Sequence, residues 1–278
     1  MKLREKHKTF GGWTEFWTHD SECCACPMNF AVFRPPQAEQ GPVPVLYFLS
    51  GLTCSEENFI IKAGAQRIAA ELGLFLVVND TSPRGVIAGE DDDDHLGSGA
   101  GYYLNATEAP WSKHYQMYSY VTEELPALIQ QHFPVDANRE SIMGHSMGGH
   151  GALICYLRNQ DRYRSISAMA PISAPTLRYE DSGGFPAYLG TDKTAWQDYD
   201  AHLLVQKHGA KHPILFDQGA NDELISFLMP DSFVNAAKQA GVDIHYRLRS
   251  EYGHNYFYVQ SFIEEHLRWH ADALKAER

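Results

Sequence analysis

Apolar residues along the chain alternate between short continuous runs and longer stretches with helical spacing. Val43 to Ser50 (VPVLYFLS) is a run of the buried-strand kind, and Leu74 to Asp80 (LFLVVND) is a second. Between them, Ser55 can cap a helix that carries Phe59, Ile60, Ala63, Ile68, Ala69 and Leu72 at helical spacing, with Gly73 to end it. A Gly/Asp-rich excursion then runs from Thr81 to about Lys113, and loops of that length are usually functional. Tyr118, Val121, Leu125, Leu128 and Ile129 predict a helix over His114 to Phe133. Glu140 to Gly144 reads as a short strand and Met147 to Arg158 as a helix. Further strands are predicted at Arg164 to Ala170, Pro213 to Asp217 and Ile244 to Arg249, with a final helix from about Tyr256 to Ala273. Strands separated by helices, several of them apolar throughout, predict an α/β chain: one domain over 1–278, its sheet mostly parallel and covered by helices on both faces.

Composition then removes whole classes of function. Of the 278 residues 44% are hydrophobic and 21% charged, which supports a sizeable core and rules out global disorder. Against 35 acidic residues stand 23 basic ones, a net charge of -12, the wrong sign for nucleic acid or for an anionic membrane surface. No apolar run approaches the roughly 18 residues of a membrane span, and the charged opening Met1 to Lys8 does not lead into a signal-peptide core. Five cysteines, an odd and sparse set, imply no disulfide framework and point to a reducing cytoplasm. No metal is expected: Cys23, Cys24 and Cys26 lack a fourth ligand, and His266 and His270 share a helix face without a third. Asp91 to Asp94 reads as a solvated loop.

The strongest chemical signal is Gly144-His145-Ser146-Met147-Gly148, lying between a predicted strand and a predicted helix. A nucleophilic serine on such a turn sits in strained backbone, and side chains two residues to either side would collide with it. Serine needs a base, and the base an orienting acid, in the chain order Ser, Asp or Glu, His when this motif opens a hydrolase sheet. Asp222, on the loop after the strand at Pro213, is the favoured acid, with Asp217 next. His254, between the last strand and the last helix, is the favoured base, whereas His150 travels with the helix after Ser146 and His145 belongs to the turn itself. For the oxyanion, the Met147 amide is one donor and the Leu52 amide, in the loop Ser50-Gly51-Leu52-Thr53-Cys54, the other. Cys54 and Trp111 are candidate pocket residues, together with Tyr102, Tyr103 and Tyr115, and Lys62 and Arg84 are candidate partners for substrate carboxylates.

Around these residues nearly the whole chain resembles the S-formylglutathione hydrolases of the esterase D family. The shared strings include SGLTC (Ser50 to Cys54), AGAQRIAAELG (Ala63 to Gly73), DTSPRG (Asp80 to Gly85) and GAGYYLNAT (Gly99 to Thr107). HYQMYSYVTEELPAL (His114 to Leu128), GHSMGGHGAL (Gly144 to Leu153), DQG (Asp217 to Gly219) and SFIEEHLRWHA (Ser261 to Ala271) extend the match. The resemblance implies a cytoplasmic, homodimeric enzyme of α/β-hydrolase fold that cleaves S-formylglutathione to formate and glutathione without a cofactor. It places nucleophile, acid and base on Ser146, Asp222 and His254, and the oxyanion amides on Leu52 and Met147. Gly253 and Asn255 depart from the family, which commonly has aspartate before the base and serine after it. The alternative with the same triad is a short-chain carboxylesterase of broad ester specificity.

Overall fold

Nine strands pair into one sheet in a computed structural model that describes residues 1–178 and 184–275. They are β1 (Lys2–Thr9), β2 (Gly12–Ser21), β3 (Cys26–Arg34), β4 (Val43–Leu49), β5 (Phe75–Asn79), β6 (Val135–His145), β7 (Tyr163–Met169), β8 (Ile214–Gly219) and β9 (Ile244–Arg249). Their order is β1-β2-β3-β5-β4-β6-β7-β8-β9. From β5 to β9 every pairing is parallel, while β1, β2 and β3 form an antiparallel meander joined to β5. The α/β-hydrolase expectation of a mostly parallel sheet therefore stands.

Covered on both faces, β4 and β5 are nearly continuous apolar runs, and every residue of β5 is buried. On one side the helix Met147–Arg158 packs against β6 and β7 and against the helix Ala201–His208, which in turn meets Pro230–Gln239. A separate layer is made by the helix Tyr256–Lys275, which lies on β7 and β6 and against the helix Ala65–Leu72. Among the described residues, no helix is long and apolar enough to cross a membrane.

Several local expectations need correction. The helix predicted from Ser55 to Leu72 is two, Glu56–Lys62 and Ala65–Leu72, because Gly64 at φ 67° turns the chain between them. Ser55 does cap the first of these, in a reciprocal box with Asn58. The helix expected from His114 begins only at Met117 and winds more loosely over Tyr120–Glu124. Pro126 has no N–H for the carbonyl of Thr122, and Arg162 donates to that oxygen instead. β6 starts at Val135 rather than Glu140.

The three N-terminal strands carry no clean apolar alternation. β1 is an exposed, highly charged edge, the usual protection against edge pairing, and β2 buries Glu15 against Lys6 and Arg34. The long excursion is irregular yet packed: Glu90 is buried and accepts from the amides of Val86 and Ile87. Because the central strands run parallel, the loops after β4, β6, β8 and β9 all open at the same end of the sheet.

Candidate active site

Ser146 follows the last residue of β6 with φ 59° and ψ -123°, a conformation that L-residues avoid, and its amide is held by the Met169 carbonyl at 2.9 Å. The flanking glycines are sterically required. A Cβ on Gly144 would lie 2.1 Å from the Gly148 carbonyl oxygen, and one on Gly148 would lie 1.9 Å from that of Leu49. The turn can close only without those side chains, and closing it lifts the Ser146 hydroxyl to the sheet rim.

At that rim, His254 Nε2 lies 2.8 Å from Ser146 Oγ and His254 Nδ1 lies 2.8 Å from Asp222 Oδ2. Asp222 is buried and also accepts from Gln218 Nε2 and from the Leu224 amide, each at 2.8 Å. Burial alone would raise the pKa of this carboxyl. The hydrogen bond and charge of His254, with the Leu224 amide and Gln218, outweigh it and hold Asp222 below the usual carboxylate range. Gln218 was not singled out by sequence reasoning; its only trace was its place inside the DQG string.

Asp217, the other candidate acid, is engaged elsewhere. Its Oδ2 lies 2.7 Å from Arg249 Nε and 3.5 Å from His266 Nε2. His266 and His270 face inward to hydroxyls: His270 bonds Ser165 and Ser167 at 2.8 Å each, and His266 bonds Ser167 at 2.8 Å. His150 is fully buried against Phe185, and burial lowers it to about 4. His145, by contrast, lies in the site, with its ring centroid 4.7 Å from that of His254.

Beside the serine opens a cleft of about 360 Å³ lined by residues 51–54 of the loop after β4, by Ser146, His145 and His254, and by Leu224, Tyr256, Asp94 and His95. Among the described residues, neither the Leu52 amide nor the Met147 amide has a hydrogen-bond acceptor. Gly51 allows the close approach of that loop, since a Cβ there would come 3.0 Å from Ser146 Cβ. Cys54 lines the cleft, and burial pushes its thiol up. Trp111 is not among the lining residues: its indole packs edge-on against Tyr115 and Tyr188, at 5.0 and 5.2 Å. Tyr102, Tyr103 and Tyr115 are likewise fully buried, with Tyr103 donating to the Ser50 carbonyl at 2.8 Å.

The acidic run does more than solvate a loop, because Asp94 reaches the cleft. Arg84 is held by Asp80 at 2.8 Å and by the Cys54 carbonyl, whereas Lys62 lies 5.8 Å over the ring of Tyr256 at the cleft wall. Burial, the main cause for each, lifts the thiols of Cys23, Cys24 and Cys26 to about 12, 12 and 11. Among the described residues no group of three or more His, Cys, Asp or Glu is arranged to hold a metal ion.

A serine hydroxyl, an imidazole and a carboxylate linked in that order, at the carboxyl ends of the strands of such a sheet, define the class: a serine hydrolase of α/β-hydrolase fold. The family model described as "Putative esterase" matches residues 21–269. Proteins named S-formylglutathione hydrolase from Mus musculus and from Rattus norvegicus are each 50% identical to this chain, over 99% of it and 99% of their own length. A solved S-formylglutathione hydrolase from Agrobacterium tumefaciens is 45% identical, with a TM-score of 0.92 over 99% of this chain and all of its own. The fold alone is shared with a fluorophosphonate-binding serine hydrolase of Staphylococcus aureus, 19% identical with a TM-score of 0.74 over 94% of this chain and 98% of its own. The chain belongs to the S-formylglutathione hydrolases of the esterase family.

Proposed function

We propose that this protein hydrolyses the thioester S-formylglutathione to formate and glutathione, with Ser146 as nucleophile, His254 as general base and Asp222 as the acid that orients it. The observation that carries the reading is the unbroken chain of two 2.8 Å hydrogen bonds from Asp222 through His254 to Ser146. The substrate follows from the relatives of the same name over 99% of the chain.

His254 Nε2 takes the hydroxyl proton as Ser146 Oγ attacks the formyl carbon. The carbonyl oxygen becomes an oxyanion facing the Leu52 and Met147 amides, which no other group among the described residues has claimed; losing one such donor typically costs about 3 kcal/mol. Collapse of the tetrahedral intermediate breaks the C–S bond, and glutathione departs, taking its proton from His254. Water then enters and gives a proton to His254 as its oxygen attacks the formyl ester; His254 returns that proton to Ser146 Oγ as the ester C–O bond breaks, and the formic acid released ionises to formate. Asp222 keeps the imidazole in the tautomer with Nδ1–H and offsets its positive charge during both transfers. Lys62, over Tyr256 at the cleft wall, is the cation placed to meet a glutathione carboxylate.

The same reading takes the chain as one domain acting as a cytoplasmic homodimer. Its five unpaired cysteines suit a reducing compartment, and the assembly rests on the family resemblance. The test is kinetic. Ser146→Ala, still folded, should lose thioesterase activity, and the wild-type kcat/KM should be higher for S-formylglutathione than for a short aryl acetate. Near-full activity in the variant would overturn the mechanism, and the reverse preference would make the protein a carboxylesterase.

A further inference from the structure

In the loop that carries the base, Gly253 precedes His254 and contributes no side chain of its own, and the neighbouring Glu251 sits at φ 66°. Glycine has the broadest backbone freedom of any residue, so an imidazole placed next to it needs restraint from elsewhere. Asp222 and Ser146 hold the two nitrogens of His254 but leave the faces of its ring unguided. Against the ring lies His145, its centroid 4.7 Å from that of His254 and its plane tilted by 38°. His145 is itself immobilised: it ends β6 in register with Met169, is 5% exposed, and packs against Tyr256 and Tyr258 at 6.0 and 6.3 Å.

We propose that His145 is a positioning residue for the general base, a rigid ring against which His254 packs and which keeps its Nε2 aimed at the Ser146 hydroxyl. The role rests on the reading of Ser146, Asp222 and His254 as a triad. It assigns a use to the residue between the first glycine and the nucleophile, a position at which the turn itself demands no particular side chain. It also explains how a glycine is tolerated beside the base: β6, across the rim, adds a restraint on the imidazole that Gly253 does not supply. Burial, and then the charge of His254, push the pKa of His145 well below that of an ordinary imidazole, so it remains a neutral ring. A neutral aromatic face beside His254 tolerates the positive charge that the base acquires in turnover, where a second cation would oppose it.

The experiment compares His145→Ala, His145→Phe and His145→Gln in the full-length protein. Readouts are steady-state kinetics on S-formylglutathione, a thermal melt, and the far-downfield proton NMR signal of His254 Nδ1–H bonded to Asp222. Removing the ring should lower kcat by roughly 10- to 100-fold, the scale of an ångström-sized misplacement, with KM changed less than about twofold. The NMR signal should broaden or vanish as the imidazole loosens. Phe, which restores a planar face without nitrogens, should recover both kcat and the signal, while Gln, polar but without a ring, should resemble Ala. Should Ala fail to fold, the Phe and Gln pair carries the same comparison. Wild-type kcat in folded Ala or Gln, or a Phe variant as impaired as Gln, would overturn the proposal. Ser146→Ala is run alongside: its inactivity beside a fully active His145→Gln sinks this role alone, whereas an active Ser146→Ala sinks the triad reading.

Discussion

Asp222→Asn is expected to lower kcat for S-formylglutathione by about 10³- to 10⁴-fold while the protein remains folded. Three donors converge on this carboxylate: His254 Nδ1–H and Gln218 Nε2–H on Oδ2, and the Leu224 amide on Oδ1. Asparagine offers one oxygen and one NH₂ to the same donors. With the oxygen toward His254, the NH₂ opposes the Leu224 amide. With the NH₂ toward His254, it opposes Gln218 and drives the imidazole into the tautomer with Nε2–H, which cannot accept the serine proton. Either arrangement also removes the negative charge that faces the imidazolium. Two unit charges about 4 Å apart at an effective dielectric near 20 attract by roughly 4 kcal/mol, which is about 10³ in rate. The misplaced tautomer adds to this and accounts for the upper figure, the scale seen when a serine-protease triad loses its aspartate charge. Thioester consumption is followed spectroscopically, and circular dichroism establishes that the variant is folded. A folded Asp222→Asn enzyme within tenfold of wild-type kcat would refute the assignment of Asp222 as the orienting acid.

Two other outcomes follow from the geometry of the site and from its buried histidines. Lys62→Ala should raise KM for S-formylglutathione several-fold and leave an uncharged aryl acetate unaffected, because Lys62 lies over the ring of Tyr256, which lines the cleft, and only the glutathione part of the substrate carries carboxylates; equal effects on both substrates would deny it a role toward glutathione. Stability should fall as the medium is acidified below about pH 6.5. His145, His150 and His270 all have pKa values lowered in the fold, chiefly by burial, with the charge of His254 acting next on His145 and that of His266 on His270. Below the ordinary imidazole pKa the unfolded chain binds protons that the folded chain refuses. The free energy of unfolding therefore drops with pH by up to about 1.4 kcal/mol per unit for each such group. Urea midpoints at pH 7 and pH 5 measure this, and identical midpoints would contradict it.

Features governed by short-range sterics were legible in the sequence. The GHSMG turn announces itself because its tightest constraint is local: Gly144 must lack a Cβ to clear the Gly148 carbonyl four residues on, and the helix Met147–Arg158 follows at once with the bounds its spacing predicts. The continuous apolar runs of β4 and β5 were equally plain, since both strands are buried on both faces. Where polar residues are buried by partners distant in the chain, the pattern falls silent. The Glu15 carboxylate in β2 is paired with Lys6 and Arg34 on the neighbouring strands, so the N-terminal meander shows no alternation to read.

The choice between Asp217 and Asp222, five residues apart, belongs to the tertiary structure. Arg249 in β9 and His266 in the last helix claim Asp217 inside the sheet, and the loop beyond β8 carries Asp222 to His254. The sequence by itself determined the nucleophile turn, the parallel core and the order of the reacting groups, because these depend on near neighbours and on burial. Only the folded chain decided which carboxylate meets the imidazole and which ring packs beside it, because those partners come from strands and loops far apart in the chain.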